Sequence, residues 1–171
     1  MDDRRKVDVD LAIVGGGYAG LSLAMRLAGE PGCALRIAII EPRRCYTNDR
    51  TWAFWHGAPA VEELASMVTH RWSRWRVSAG DEVATQEAHR PYVAIPAERF
   101  YRSAQRLIDA SPAISLHLDT RADVVVDEGD GVRIETSRGP LRAAWVVDTR
   151  PPAAGRLADT ILLQAFSGAE V

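Results

Sequence analysis

The chain has 171 residues, 47% apolar and 26% charged, with 21 lysines and arginines against 23 acids and a formal charge of −2. That length suits one domain or a little more and is enough for a hydrophobic core. The near-neutral balance argues against nucleic acid or any polyanionic partner, and no run approaches the ~20 apolar residues of a membrane span.

Cys33 and Cys45 have neither C-x-x-C nor metal-ligand spacing, so they read as reduced structural thiols. His56, His70, His89 and His117 are scattered, and no metal site is expected. The opening MDDRRKVDVD is charged and lacks a signal-peptide core. A cytoplasmic location follows as the expectation, with a membrane-surface position left open. The basic cluster between His70 and Arg76 reads as a solvated face.

In chain order, Val7 to Val14 is a short apolar run ending in glycines, a buried strand. Tyr18 to Gly29 has helical spacing at Ala19, Leu23, Arg26 and Leu27, and Gly29 with Pro31 stops it. Leu35 to Ile40 is a second apolar strand, closed by Glu41-Pro42. Residues 42–58 show no period and read as a long ordered loop. A short helix is expected over Ala60 to Val68, then strands at Arg71 to Ser78 and Glu82 to Ala88 about a turn at Gly80-Asp81. Pro96 to Ala110 is an amphipathic helix with Phe100, Ala104, Leu107 and Ile108 on one stripe. Strands follow at Ile114 to Leu118, Ala122 to Asp127, Val132 to Ser137 and Ala143 to Asp148, with turns at Gly129-Asp130-Gly131 and Gly139-Pro140. A last apolar run spans Ile161 to Phe166.

The first strand meets the first helix at Gly15-Gly16-Gly17-Tyr18-Ala19-Gly20, which fits G-x-G-x-x-G. Gly15 allows the tight turn, Gly17 lets the backbone approach a pyrophosphate, and Gly20 lets helix and strand pack closely. The helix N-terminus offers free N–H groups and partial positive charge to the phosphates. Glu41 ends the second strand 21 residues after Gly20, near the spacing of about 20 expected for a ribose-binding carboxylate. A dinucleotide site is therefore expected at Gly15, Gly16, Gly17, Ala19, Gly20 and Glu41, and the acid disfavours a 2′-phosphate. These residues alone do not choose between FAD and NAD. The three strands at 122–148, joined by short turns, form a β-meander, as in FAD domains of the glutathione-reductase type. The expected fold is thus α/β, a Rossmann-like FAD/NAD(P)-binding domain with the start of a substrate-domain sheet.

Several segments resemble the bacterial lycopene cyclases: NDRTWAFW (Asn48 to Trp55), PYVAIPAERFY (Pro91 to Tyr101), VVDTRPP (Val146 to Pro152) and LLQAFSGAEV (Leu162 to Val171), in family order. The resemblance implies a discontinuous FAD domain from residues 1–66 and 96–150, with 67–95 and 151–171 beginning the substrate domain. It implies the N-terminal half of a longer enzyme, inactive alone and completed by a C-terminal half. The implied reaction is non-redox cyclisation of the ψ-ends of lycopene to β-rings, with reduced FAD required, NADPH as reductant only, and peripheral attachment at the inner face of the membrane. Arg99 stands where related flavoproteins place an arginine near the flavin diphosphate, and Arg50 could reach the cofactor from the loop. Trp52, Phe54 and Trp55 either face the polyene or pack beneath the loop. Asp49, the one acid in the NDRTWAFW segment, reads as a hydrogen-bonding loop residue, with catalysis as the alternative. The catalytic acid is expected beyond residue 171, so the catalytic residues stay unknown at this point. Two rival readings share the fold class: an FAD-dependent monooxygenase of the aromatic-hydroxylase type, and a non-catalytic nucleotide-binding fragment.

Overall fold

The computed structural model describes residues 7–57 and 64–151. The expected helix over 60–68 falls partly outside them, and the run Ile161 to Phe166 wholly so. Of the former, a single 3₁₀ turn at Ala65–Met67 is described.

β1 (Val9–Val14), α1 (Tyr18–Gly29) and β2 (Ile37–Ile40) build the predicted opening unit. β1 and β2 run parallel, and β2 pairs in parallel with β6 (Ile114–His117). On the other side β1 pairs in parallel with β9 (Gly139–Asp148), which turns back antiparallel through β8 (Val132–Thr136) to β7 (Ala122–Asp127). The resulting six-stranded order is β6-β2-β1-β9-β8-β7, and its last three strands are the expected meander.

The unbroken Ile-Ala-Ile-Ile of β2 is explained by cover on both faces. Leu11, Ile13, Ile37 and Ile39 pack against α1 and against α2 (Ala97–Asp109), whose Phe100, Ala104 and Ile108 form the buried stripe. Ala12, Val14 and Ile40 point the other way and meet Ala122, Ile134 and Ala143 of the meander.

Three expectations need correction. The stretch read as a loop over 42–58 contains a strand, β3 (Thr51–Trp55). It pairs antiparallel with β5 (Glu82–Pro96), which in turn pairs with β4 (His70–Ala79), giving a second sheet of order β3-β5-β4. β5 does not stop at Ala88. It continues past Pro91 because residues 88–91 face the single residue Ser73 in a bulge, where no ladder N–H is needed. Finally, Gly139-Pro140 is not a turn but the start of β9. Pro140 pairs with Glu135 on one side only, since β9 meets β1 from Ala143 onward.

Candidate functional site: the glycine loop and its flanks

The strand order reverses between β1, which leads on to β2 and β6, and β9, which leads to β8 and β7. Ligands of open α/β sheets bind at such a switch point, beyond the carboxyl ends of the strands. Here those ends are Gly15-Gly16-Gly17 after β1, Glu41 after β2, and Thr149-Arg150 after β9.

Each glycine has a distinct surrounding. Gly15 has φ +103°, the left-handed region that favours glycine, and a Cβ on it would lie 2.6 Å from the Thr149 hydroxyl oxygen. That hydroxyl sits 3.0 Å from both the Val14 and Gly15 carbonyl oxygens, tying β9 to the loop. Gly16 is the variable middle position of the motif, yet its Cβ would fall 2.4 Å from the Tyr46 hydroxyl and 3.0 Å from Glu41 Cβ. Gly17 faces open space, with Arg43 Nη2 nearest at 4.0 Å. It caps α1 without any side-chain hydrogen bond, and no acid sits in the first turn. Ala19 lies exposed in that first turn. The first-turn N–H groups therefore present a cradle for an anion.

Glu41 is 3% exposed. Its carboxylate accepts from Gly16 N–H at 2.7 Å, Arg43 N–H at 2.9 Å and Arg43 Nε at 2.8 Å, with a longer contact from Arg43 Nη2 at 3.3 Å. Burial pushes its pKa up, but the Arg43 side chain and backbone and the Gly16 N–H outweigh burial and hold it below the ordinary value. Glu41 is thus ionised, an acceptor only. A carboxylate has about four acceptor positions, and the long Nη2 contact is the one a ribose hydroxyl can replace.

Arg43 is the residue that spacing did not reveal. Nη1 donates to the Tyr101 hydroxyl at 2.6 Å and Nη2 to the Gly16 carbonyl at 3.2 Å. Its guanidinium lies 5.1 Å and 5.2 Å from the centroids of Tyr46 and Tyr101, which stack on each other at 4.2 Å. The Tyr46 hydroxyl donates to the Gly16 carbonyl at 2.9 Å, and burial raises its pKa further, so it stays a donor. These three residues come together only through the fold. The one sequence hint was an arginine two positions after the acid expected at the ribose.

The site predicts a pH dependence. A carboxyl whose folded pKa is depressed contributes stability above its unfolded value, about 4.3 for glutamate, and that contribution is lost as pH falls through the folded value. Glu41→Gln should therefore melt below wild type at pH 7, and the gap should narrow progressively as pH falls below about 4.3. A gap that stays constant across this range would mean the ion pair contributes nothing.

The other expected positions are distributed differently. Asn48 Oδ1 accepts the Glu98 N–H at 3.2 Å, and the Arg50 carbonyl accepts the Ala97 N–H at 2.9 Å, so this segment caps α2. Trp52 and Phe54 pack into the core against Tyr18, and Trp52 also against Phe100, while Trp55 is half exposed on the opposite face beside Tyr92. Asp49 pairs with Arg50 at 2.7 Å, and that hydrogen bond holds its pKa below the usual value. Arg99 is exposed in the first turn of α2. The side chain that α2 brings to the loop is Tyr101, two residues on. Among the described residues no group of three or more His, Cys, Asp or Glu could hold a metal ion.

The observed cradle fits a dinucleotide such as FAD: an uncapped helix N-terminus behind an open Gly17 for the diphosphate, and a buried ionised Glu41 for the ribose. The family model described as lycopene cyclase protein matches residues 10–171. No curated protein matches the chain. Among solved structures, p-nitrophenol 4-monooxygenase from Pseudomonas putida superposes with a TM-score of 0.66 at 17% identity, over 82% of this chain and 40% of that one. A protein from Pseudomonas aeruginosa described as a probable FAD-dependent monooxygenase gives 0.62 at 22% identity, over 81% and 41%. A halogenase mutant solved in complex with FAD gives 0.61 at 15% identity, over 83% and 34%. At these identities the likeness shows the fold, a Rossmann-like FAD-binding architecture. The chain spans between a third and about two fifths of the length of these neighbours.

Proposed function

The chain belongs to the lycopene cyclase protein family, and from that premise we propose that the complete protein cyclises the ψ-ends of lycopene to β-rings with FAD bound. The match over residues 10–171 is the observation that carries this reading. A proton adds to the terminal double bond, a neighbouring double bond attacks the carbocation, and a proton leaves, so the product is an isomer and no electrons are gained or lost. When bound, anionic reduced FAD supplies negative charge beside the developing cation. NADPH serves only to keep it reduced.

Within this scheme the described residues bind and orient. The first turn of α1 and Gly17 receive the diphosphate, and Glu41 receives the ribose. Arg43, Tyr46 and Tyr101 hold the Gly16 peptide in place between them. The proton donor must be a neutral carboxylic acid kept so by an apolar pocket. Asp49 has the opposite environment: the Arg50 hydrogen bond holds it ionised, as the Arg150 hydrogen bond does for Asp148. The Arg43 and Gly16 contacts do the same for Glu41. These three acids do not have that environment, and the family resemblance puts the donor in the rest of the protein, outside the described residues. No described helix is long and apolar enough to cross a membrane. Because the substrate is a bilayer-soluble hydrocarbon, the complete enzyme is proposed to work from the inner membrane surface.

The test is expression in a lycopene-accumulating host, with pigments separated by chromatography. The chain alone is expected to leave lycopene unchanged. Joined to the C-terminal half of a longer family member, it is expected to yield monocyclic or bicyclic carotenoids. Hydroxylated products, or lycopene unchanged in a joined protein that retains flavin, would overturn the reading.

A further inference from the structure

We propose that Arg150 binds the adenine base of the dinucleotide, with Asp148 as its positioning residue; this rests on the FAD reading above and goes beyond it. Arg150 follows β9 at the switch point, and its backbone N and Cγ both lie 3.7 Å from where a Gly15 Cβ would stand. Its guanidinium is fixed from two directions. Nε and Nη2 meet the Asp148 carboxylate at 2.9 Å and 2.7 Å, and Nη1 donates to the Ala122 carbonyl at 2.6 Å. The plane is thus set by three bonds while 41% of the side chain stays exposed.

The position of this plane follows from the neighbouring backbone. The Asp119 N–H donates to the Arg43 carbonyl at 2.9 Å, and the Thr120 N–H to the Glu41 carbonyl at 3.0 Å. These bonds press the entry to β7 against the end of β2. Glu41, Thr120, Ala122, Arg150 and Gly15 therefore follow one another around a single rim. A nucleotide whose ribose is held at Glu41 and whose phosphates are held at Gly17 has its base left to meet the Arg150 side.

Charge selects which part of the nucleotide Arg150 takes. Asp148 already neutralises it, so it offers little net charge to a phosphate. It offers instead a flat, weakly hydrated cation that stacks on a purine face, together with the N–H donors left over from its five for ring-nitrogen acceptors. Lysine supplies the charge without the plane.

Titration calorimetry of the whole chain with FAD, ADP and inorganic pyrophosphate tests the assignment. Arg150→Ala is expected to weaken FAD and ADP binding by about tenfold and to leave pyrophosphate binding unchanged. Arg150→Lys should recover only part of the loss, and Asp148→Asn should weaken ADP less than Arg150→Ala does. Equal losses for ADP and pyrophosphate would overturn the proposal, since they would indicate a phosphate contact or a merely structural role. Wild-type affinity for ADP in Arg150→Ala would also overturn it, while leaving the FAD reading intact. A wild-type chain that takes up neither FAD nor ADP would overturn the FAD reading and this assignment together.

Discussion

Gly20→Ala is expected to lower the unfolding transition of this domain by about ten degrees or more. A Cβ at this position would lie 2.0 Å from the Gly15 carbonyl oxygen and 3.0 Å from Ile13 Cγ2. The first of these is backbone in a loop pinned by Thr149, so it cannot rotate away. Relief requires α1 to lift from β1, and α1 carries Leu21 and Ala24, both 0% exposed, in the core it shares with Ile13 and Phe100. A lift that opens this seam costs burial and packing at once, about 4 kcal/mol or more. Domains of this size have only about 5–15 kcal/mol in total. Circular dichroism during heating is the measurement. A cooperative transition within a few degrees of wild type would refute the close-packing role.

Gly17→Val should behave in the opposite way: folded, but empty of flavin. Gly17 has φ −82°, which any residue adopts, and no atom nearer than 4.0 Å would meet its Cβ. The fold therefore tolerates a side chain there, at the cost of a poorer helix cap, about 1 kcal/mol. The isopropyl group occupies the space through which a diphosphate reaches the first-turn N–H groups. Affinity for FAD should drop by about a hundredfold or more, while the unliganded melting temperature falls only slightly. Flavin absorbance of the purified protein reads the first quantity and thermal melting the second. A Gly17→Val protein that purifies with a full complement of flavin would show that the phosphates bind elsewhere. The two glycines stand three residues apart in one motif, and the contrast between them separates packing from ligand approach.

The opening βαβ unit was legible because local signals agreed there: apolar runs of strand length, helical spacing, and a glycine turn between them. The meander was legible from its short turns. β3 was hidden because Thr51-Trp52-Ala53-Phe54-Trp55 carries large aromatics on both faces, so the alternation that marks a half-buried strand is absent. Pro91 hid the second half of β5, since a proline usually ends a ladder and only the partner strand reveals the bulge that admits it. At the site, Gly15, Gly17, Gly20 and Glu41 were readable because one continuous turn and one strand end position them. Arg43, Tyr46 and Tyr101 were not. They converge from the loop after β2 and from α2, and no spacing rule links residues 43 and 101.

The bonds from Thr149 to Val14 and Gly15 also impose an order on biosynthesis. Residues 14 and 149 are 135 positions apart, and β1 stays an open edge until β9 arrives to pair with it. At a synthesis rate of about 5–20 residues per second, that interval is on the order of ten seconds. During it the glycine turn lacks the partner that closes its rear wall, and the apolar β1–β2 ribbon emerges with one side unprotected. Closing so long a loop is entropically slow. The rear wall of the glycine turn is consequently completed only once the last described strand has been made.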